Sequence, residues 1–380
     1  MITTPLGLGR ATERSADGAV LEAALNWAPE ATAYVQARLC TPSPAQLDSR
    51  RYTQPWCFII LADTQYGMLN GDDDVASEEE AMANLAVDHV NRLKPSFVVV
   101  CGDLINEPPT GDAARAARQV RRFQRTMSRI DSSIPLVCCC GNHDVGDLPN
   151  RASMELYRRR FGDDYFEFWA HGSRCLVVNS SLMSAQERTR RGDKAEALAL
   201  AAEQDAWLNR RLRAHSRSLR REWTPPLFVF SHIPPFLFSH TEPKAYFNLE
   251  PGVRAPLLAQ VDAAVAAQRG VAKWFAGHFH RNASGWAGER LEVVTTSAVG
   301  TTLAWKDGAS GAERLGLEGF DWSQRRCDAA SSGLRLCCVS QRFGARHKFF
   351  TLDAVPARIV PGAAEQARWE GAPVAGTARL

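Results

Sequence analysis

Apolar residues gather in short unbroken runs at 58–62, 97–101, 136–140, 227–230 and 274–276. Each is too short for a helix and lacks the alternation of a half-exposed strand, so the pattern predicts strands covered on both faces. Between the first two runs, Met82, Leu85, Ala86, Val90 and Leu93 recur at helical spacing, and Pro95 closes the segment. A second helical face, Val120, Phe123, Met127 and Ile130, precedes the third run. Strand and helix therefore alternate as in a layered α/β fold. The stretch 185–222 is polar, helical in tendency and rich in arginine, which reads as a solvated helix face. Weak periodicity marks 1–50 as an N-terminal extension and 356–380 as a flexible tail flanking one domain over 51–355. Within that domain, the Gly-, Ala- and Ser-containing segment 306–332 reads as a surface insertion.

Composition changes this picture little. The 380 residues are 45% hydrophobic and 23% charged, enough for a substantial core. With 45 basic and 42 acidic residues, the net charge of +3 argues for neither a nucleic-acid nor a membrane partner. The first residues lack the apolar segment of a secretory signal, and a cytoplasmic location is expected. Cys57, Cys101, Cys138, Cys139, Cys140 and Cys175 sit in or beside the strand-like runs without CxxC spacing, so buried reduced thiols are expected. Oligomeric state is not legible.

The chemistry lies where the runs end. They close on Asp63-Thr64-Gln65, Gly102-Asp103-Leu104-Ile105-Asn106, Gly141-Asn142-His143-Asp144, Ser231-His232-Ile233-Pro234-Pro235 and Gly277-His278-Phe279-His280. Any one of these has a structural explanation as a turn or a loop histidine. Five in succession, each leaving a comparable strand, argue for one site at the carboxyl ends of a sheet. Carboxylate, amide and imidazole donors without cysteine suit manganese, iron or zinc in a catalytic rather than a structural role.

In this order the five motifs resemble the calcineurin-like metallophosphoesterase superfamily, whose pattern is DxH, GDxxx, GNHD or GNHE, a lone His, and GHxH. The resemblance spans about 56–353 and implies a four-layer αββα sandwich of two mixed β-sheets. It implies two divalent metal ions. Asp63, Gln65 and His280 would hold the first, Asn142, His232 and His278 the second, and Asp103 would bridge them. Gln65 stands where most relatives carry a histidine, and its weaker amide donor implies a looser first metal. The strings at 62–67, 162–166, 246–249, 280–283 and 297–300 resemble a narrower subgroup, the calcineurin-like phosphoesterase domain-containing proteins, described as cytosolic serine/threonine protein phosphatases.

Two cations sharing a water generate a hydroxide able to attack phosphorus, so no protein nucleophile is expected. His143 is placed to protonate the leaving alkoxide, with Asp144 orienting its imidazole. Asn106, Arg281 and Asn282 are candidates for substrate contact, although Arg281 and Asn282 stand equally to fix the loop. Tyr246, Phe247 and Phe236 read as cleft or core aromatics. The leading expectation is hydrolysis of phosphoserine and phosphothreonine proteins or another phosphomonoester. The alternatives are a nucleotide diphosphatase acting on ADP-ribose or CDP-alcohols, and an inactive fold kept as a binding scaffold.

Overall fold

Each of the five apolar runs forms a strand, and together they make the parallel centres of two sheets. The computed structural model describes residues 47–69, 77–187, 194–217 and 223–371. Its first half alternates β1 (Trp56–Leu61), α1 (Ser77–Leu93), β2 (Val98–Cys101), α2 (Ala113–Met127), β3 (Leu136–Cys139), the single turn α3 (Asn142–Val145) and α4 (Arg151–Phe161). The hairpin β4 (Phe166–Ala170) and β5 (Ser173–Val177) follows, then α5 (Ser180–Ala185), α6 (Ala195–Ser216), β6 (Leu227–Phe230), α7 (Pro251–Ala266) and β7 (Ala272–Ala276). Strands β8 (Ala283–Ala287), β9 (Leu291–Thr295), β10 (Thr302–Trp305), β11 (Phe320–Arg326), β12 (Gly333–Ser340) and β13 (Gly344–Thr351) complete it.

The first sheet runs β13-β12-β1-β2-β3 and the second β4-β5-β6-β7-β9-β8. Both are mixed. Strands β1, β2 and β3 are parallel, as are β5, β6, β7 and β9, while antiparallel neighbours close the edges.

Period-two alternation explains the layering. Phe58, Ile60, Phe97 and Val99 point inward to meet Phe168, Phe228, Phe230 and Phe275 of the second sheet. Rings of the two sheets interlock there, with Phe58 5.0 Å from Phe228 and Phe97 5.2 Å from Phe168. Ile59, Leu61, Val98 and Val100 point outward under α1, α2 and α4. The outer face of the second sheet packs likewise beneath α6 and α7. Both faces of every central strand are thus covered, which is the αββα sandwich and the reason these runs carry no polar alternation.

The N-terminal extension lies outside the described residues up to 46, as do Arg220 and Arg221 of the arginine-rich stretch. The segment 306–332 is more tightly built in than a surface insertion. Its strand β11 pairs with β10, and Leu315 and Phe320 are buried against Phe279 and Phe247. The tail expected to be flexible from 356 is packed as far as 371. Trp369 stacks edge-on to Phe350 at 5.8 Å, and the Glu370 carbonyl accepts from His347 N at 3.1 Å.

Candidate metal centre and catalytic cleft

The site forms where the carboxyl ends of the two sheets meet. Strands β1, β2 and β3 deliver Asp63 and Gln65, Asp103 and Asn142; β6 and β7 deliver His232, His278 and His280. Eight described non-glycine residues have positive φ, and five are expected ligands: Asp63, Gln65, Asp103, His278 and His280. Left-handed backbone at such residues costs on the order of 1–3 kcal/mol and persists where the surrounding structure enforces it, typically at functional sites. Ladder-like bonds supply that enforcement. Asp63 N donates to Gly102 O at 3.1 Å, Gln65 N to Asp103 O at 3.0 Å, and Gly277 N to His232 O at 3.0 Å. The motif glycines permit close approach, because a Cβ at Gly141 would overlap Asp103 Oδ1 and one at Gly102 the His232 ring.

The residues expected around the second metal converge most tightly. His232 Nε2 lies 3.2 Å from Asp103 Oδ2, 3.2 Å from Asn142 Oδ1 and 3.1 Å from His278 Nδ1, while its Nδ1 donates to Cys101 O at 2.9 Å. Asp103, His232 and His278 alone present three ligand atoms within 4.8 Å of one another, all buried. Against the desolvation that burial imposes, Asp103 raises His232 to about 9. Against the same desolvation, His232 and His143 hold the Asp103 carboxyl below the usual carboxylate range. Carboxylate and imidazole thus converge on the position where a cation would fit.

Around the first position, His280 Nδ1 donates to Thr301 O at 2.6 Å, leaving Nε2 3.5 Å from Asp63 Oδ1. Burial pushes the Asp63 carboxyl up to about 6. Gln65 Nε2 donates to Asn106 Oδ1 at 3.2 Å, and its Oε1 is buried with no hydrogen-bond partner. A buried amide oxygen without a donor is costly unless it serves something else. This orphaned acceptor, two residues from Asp63 in the chain, fits a cation ligand; the Asp103–His232–His278 cluster and the Asp63–His280 pair are the donors a dinuclear centre would use.

His143 is part-exposed in a cavity of about 500 Å³ that it lines with Asn142, Pro108, Pro109, Leu148 and Tyr246. Its Nδ1 donates to Asn106 O at 2.5 Å, so Nε2, 4.0 Å from Asp103 Oδ2, is the ring atom left on the side of the metal ligands. The expected contact from Asp144 to this ring is not made. Both Asp144 oxygens instead accept backbone N–H groups, from Gly141 at 2.7 Å and from Leu104 at 3.1 and 3.2 Å. Asp144 therefore clamps the β2 and β3 loops together, and burial pushes its carboxyl up to about 7.

Asn106 stands between Gln65 and His143, consistent with a place at the site. Arg281 and Asn282 are engaged with the protein itself. The Arg281 guanidinium donates to Leu303 O at 2.5 Å and lies 3.8 Å from the Trp305 ring centroid. Asn282 Oδ1 accepts from Arg335 Nη2 at 2.7 Å and from Ser297 N at 3.2 Å. Both fix the loop behind His280. Phe236 and Phe247 are core residues, whereas Tyr246 is 44% exposed in the cleft. Sequence alone could not separate these three aromatics, and it gave no signal for Arg335.

The calcineurin-like phosphoesterase profile matches residues 58–282. The serine/threonine-protein phosphatase CPPED1 of Bos taurus is 39% identical over 266 residues, covering 67% of this chain and 78% of that protein. The Homo sapiens protein of the same name is 35% identical over 279 residues, covering 70% and 82%. In fold, the chain is similar to a purple acid phosphatase from yellow lupin, Lupinus luteus, with a TM-score of 0.52 at 13% identity, over 79% of this chain and 52% of that one. The chain belongs to the calcineurin-like phosphoesterase family.

Proposed function

We propose that this chain is a serine/threonine protein phosphatase working with two divalent ions, manganese, iron or zinc, in the cytoplasm. The observation that carries it is the convergence of Asp103, His232 and His278 beside His143, which lines an open cleft. The names of the relatives support protein substrates, and the buried free thiols, including Cys138, Cys139 and Cys140, support a reducing compartment.

Bound at Asp63, Gln65, Asp103, Asn142, His232, His278 and His280, the two ions supply Lewis acidity toward the phosphoryl group and lower the pKa of water. The chain's residues do the rest. Asp103, Asp63 and the three histidines hold the charge in a desolvated pocket. Asp144 keeps the β2 and β3 loops in register. His143, oriented through Nδ1 by the Asn106 carbonyl, carries on Nε2 the proton that the leaving serine or threonine oxygen takes.

A substrate panel tests the reading. Phosphoserine and phosphothreonine peptides, p-nitrophenyl phosphate, bis-p-nitrophenyl phosphate, ADP-ribose and CDP-choline are each assayed with manganese, iron and zinc. The phosphopeptides are expected to give the highest kcat/KM, and preference for ADP-ribose over every phosphopeptide would overturn the assignment.

A further inference from the structure

Tyr246 is a large aromatic residue left 44% exposed on the wall of a cleft whose Pro108, Pro109, His143 and Leu148 are only part-exposed. Exposure of a single aromatic is unremarkable on an open surface, but here the ring is held in place. It stacks on the imidazole of His278 with centroids 5.2 Å apart and planes 25° apart. Behind it, Phe247 meets it edge-on at 4.8 Å and is itself wedged against Phe279 and Phe320.

The loop is pinned as well. Ala245 N donates to Asn248 Oδ1 at 2.8 Å, and the fully buried Asn248 amide donates to Glu242 Oε1 at 2.7 Å and to Pro243 O at 2.9 Å. One face of the Tyr246 ring therefore covers a metal-ligating imidazole, and the ring borders the cavity that also holds His143, the group facing the leaving oxygen. Pro108, Pro109 and Leu148 give the same cavity apolar lining.

We propose that Tyr246 is a specificity-determining residue that packs against the leaving-group portion of the substrate. It favours phosphomonoesters carrying apolar or aromatic surface close to the phosphate, such as an apolar residue beside a phosphorylated serine or threonine. The proposal rests on the phosphomonoesterase reading of the same site. A pre-ordered ring packed on an aromatic partner is worth about 0.5–1.5 kcal/mol beyond its area, so the expected selectivity approaches tenfold.

Binding of non-hydrolysable probes separates this inference from turnover. Phenylphosphonate and methylphosphonate share the phosphoryl group and differ in the surface offered to the ring. Dissociation constants are measured by calorimetry on the manganese-loaded protein, with metal content checked by elemental analysis. The wild type is expected to bind phenylphosphonate more tightly by a factor of roughly 5–10. Tyr246→Phe is expected to keep that ratio, and Tyr246→Ala and Tyr246→Leu to bring it near unity with methylphosphonate binding and metal content unchanged.

A ratio unchanged in both the Ala and Leu variants overturns the proposal, as does equal weakening of both probes, which would mark Tyr246 as a support for His278 only. Failure of the wild type to hydrolyse any phosphomonoester, with the probe ratio behaving as expected, defeats the phosphatase assignment and leaves the aromatic wall standing.

Discussion

At the scale of the residue, His143 and Gln65 show how one backbone position sets two roles. The Asn106 carbonyl accepts from His143 Nδ1–H, and the Asn106 side-chain oxygen accepts from the Gln65 amide N–H, so the opposite atoms, imidazole Nε2 and amide Oε1, are the ones left for chemistry. Removing the imidazole should leave the buried ligand cluster in place. His143→Ala is therefore expected to retain its metals by elemental analysis and to lose about 100- to 10,000-fold in kcat on a phosphoserine peptide, the range of general-acid removal. On p-nitrophenyl phosphate, whose leaving group departs without a proton, the loss should be much smaller. Equal losses on both substrates would show that His143 acts on the phosphoryl group instead. The part of this arrangement legible in sequence is the residue type at each strand end. The partner of His143 was not legible, because Asp144 is adjacent in the chain and chemically suited, yet backbone N–H groups of its own loop and of the β2 loop claim both its oxygens.

At the scale of the element, the parallel strands β1, β2, β3, β6 and β7 announced themselves because burial on both faces leaves unbroken apolar runs, and their ends carried the ligands. The antiparallel partners did not. Strand β8 is largely part-exposed, and β11 exposes most of its polar residues, so neither stands out from a loop. Strand β12 is wholly buried but carries Arg335 as its third residue, a charge that breaks the apolar pattern. That arginine is what the element contributes to the site. Its guanidinium bonds Thr296 Oγ1 at 3.2 Å, His347 Nδ1 at 2.9 Å, Glu370 Oε2 at 3.3 Å and Asn282 Oδ1 at 2.7 Å. Asn282 holds Ser297, and the Ser297 hydroxyl donates to His280 O at 3.1 Å. Arg335→Met should therefore weaken the first metal by roughly tenfold, given the 10- to 100-fold span of supporting-shell changes, and leave the second unaffected. Arg335→Lys, which keeps the charge, should recover part of that affinity. Titration with manganese reads both, and equal weakening at the two positions would reduce Arg335 to a general support of the fold.

At the scale of the whole molecule, the two sheets are joined at a second polar place, through a buried network that meets the Arg335 cluster at His347. Glu292 on β9 pairs with Lys273 on β7 of its own sheet and accepts from His347 Nε2 on β13 of the other at 3.2 Å. Against desolvation by burial, the His347 hydrogen bond and the Lys273 charge hold the Glu292 carboxyl down from 4.5 to about 2. A depressed carboxyl stabilises the fold above its unfolded value and ceases to do so as pH falls toward its folded one, so this contribution is complete above about 4.5 and disappears by about 2. At 1.36 kcal/mol per unit, the difference corresponds to about 3 kcal/mol. His347, kept below 6.5 by burial, adds loss in the same acidic direction. Glu292→Gln removes the titrating group and leaves the buried Lys273 without its counter-ion, so it should unfold more easily than wild type at pH 7 by a similar amount. Denaturant midpoints followed from pH 7 to 3 should then converge, the wild type falling steeply below pH 4.5 and the variant less. Two curves that stay parallel would mean the sheets are held by their phenylalanine interlayer alone and that the ion network carries no pH-dependent stability.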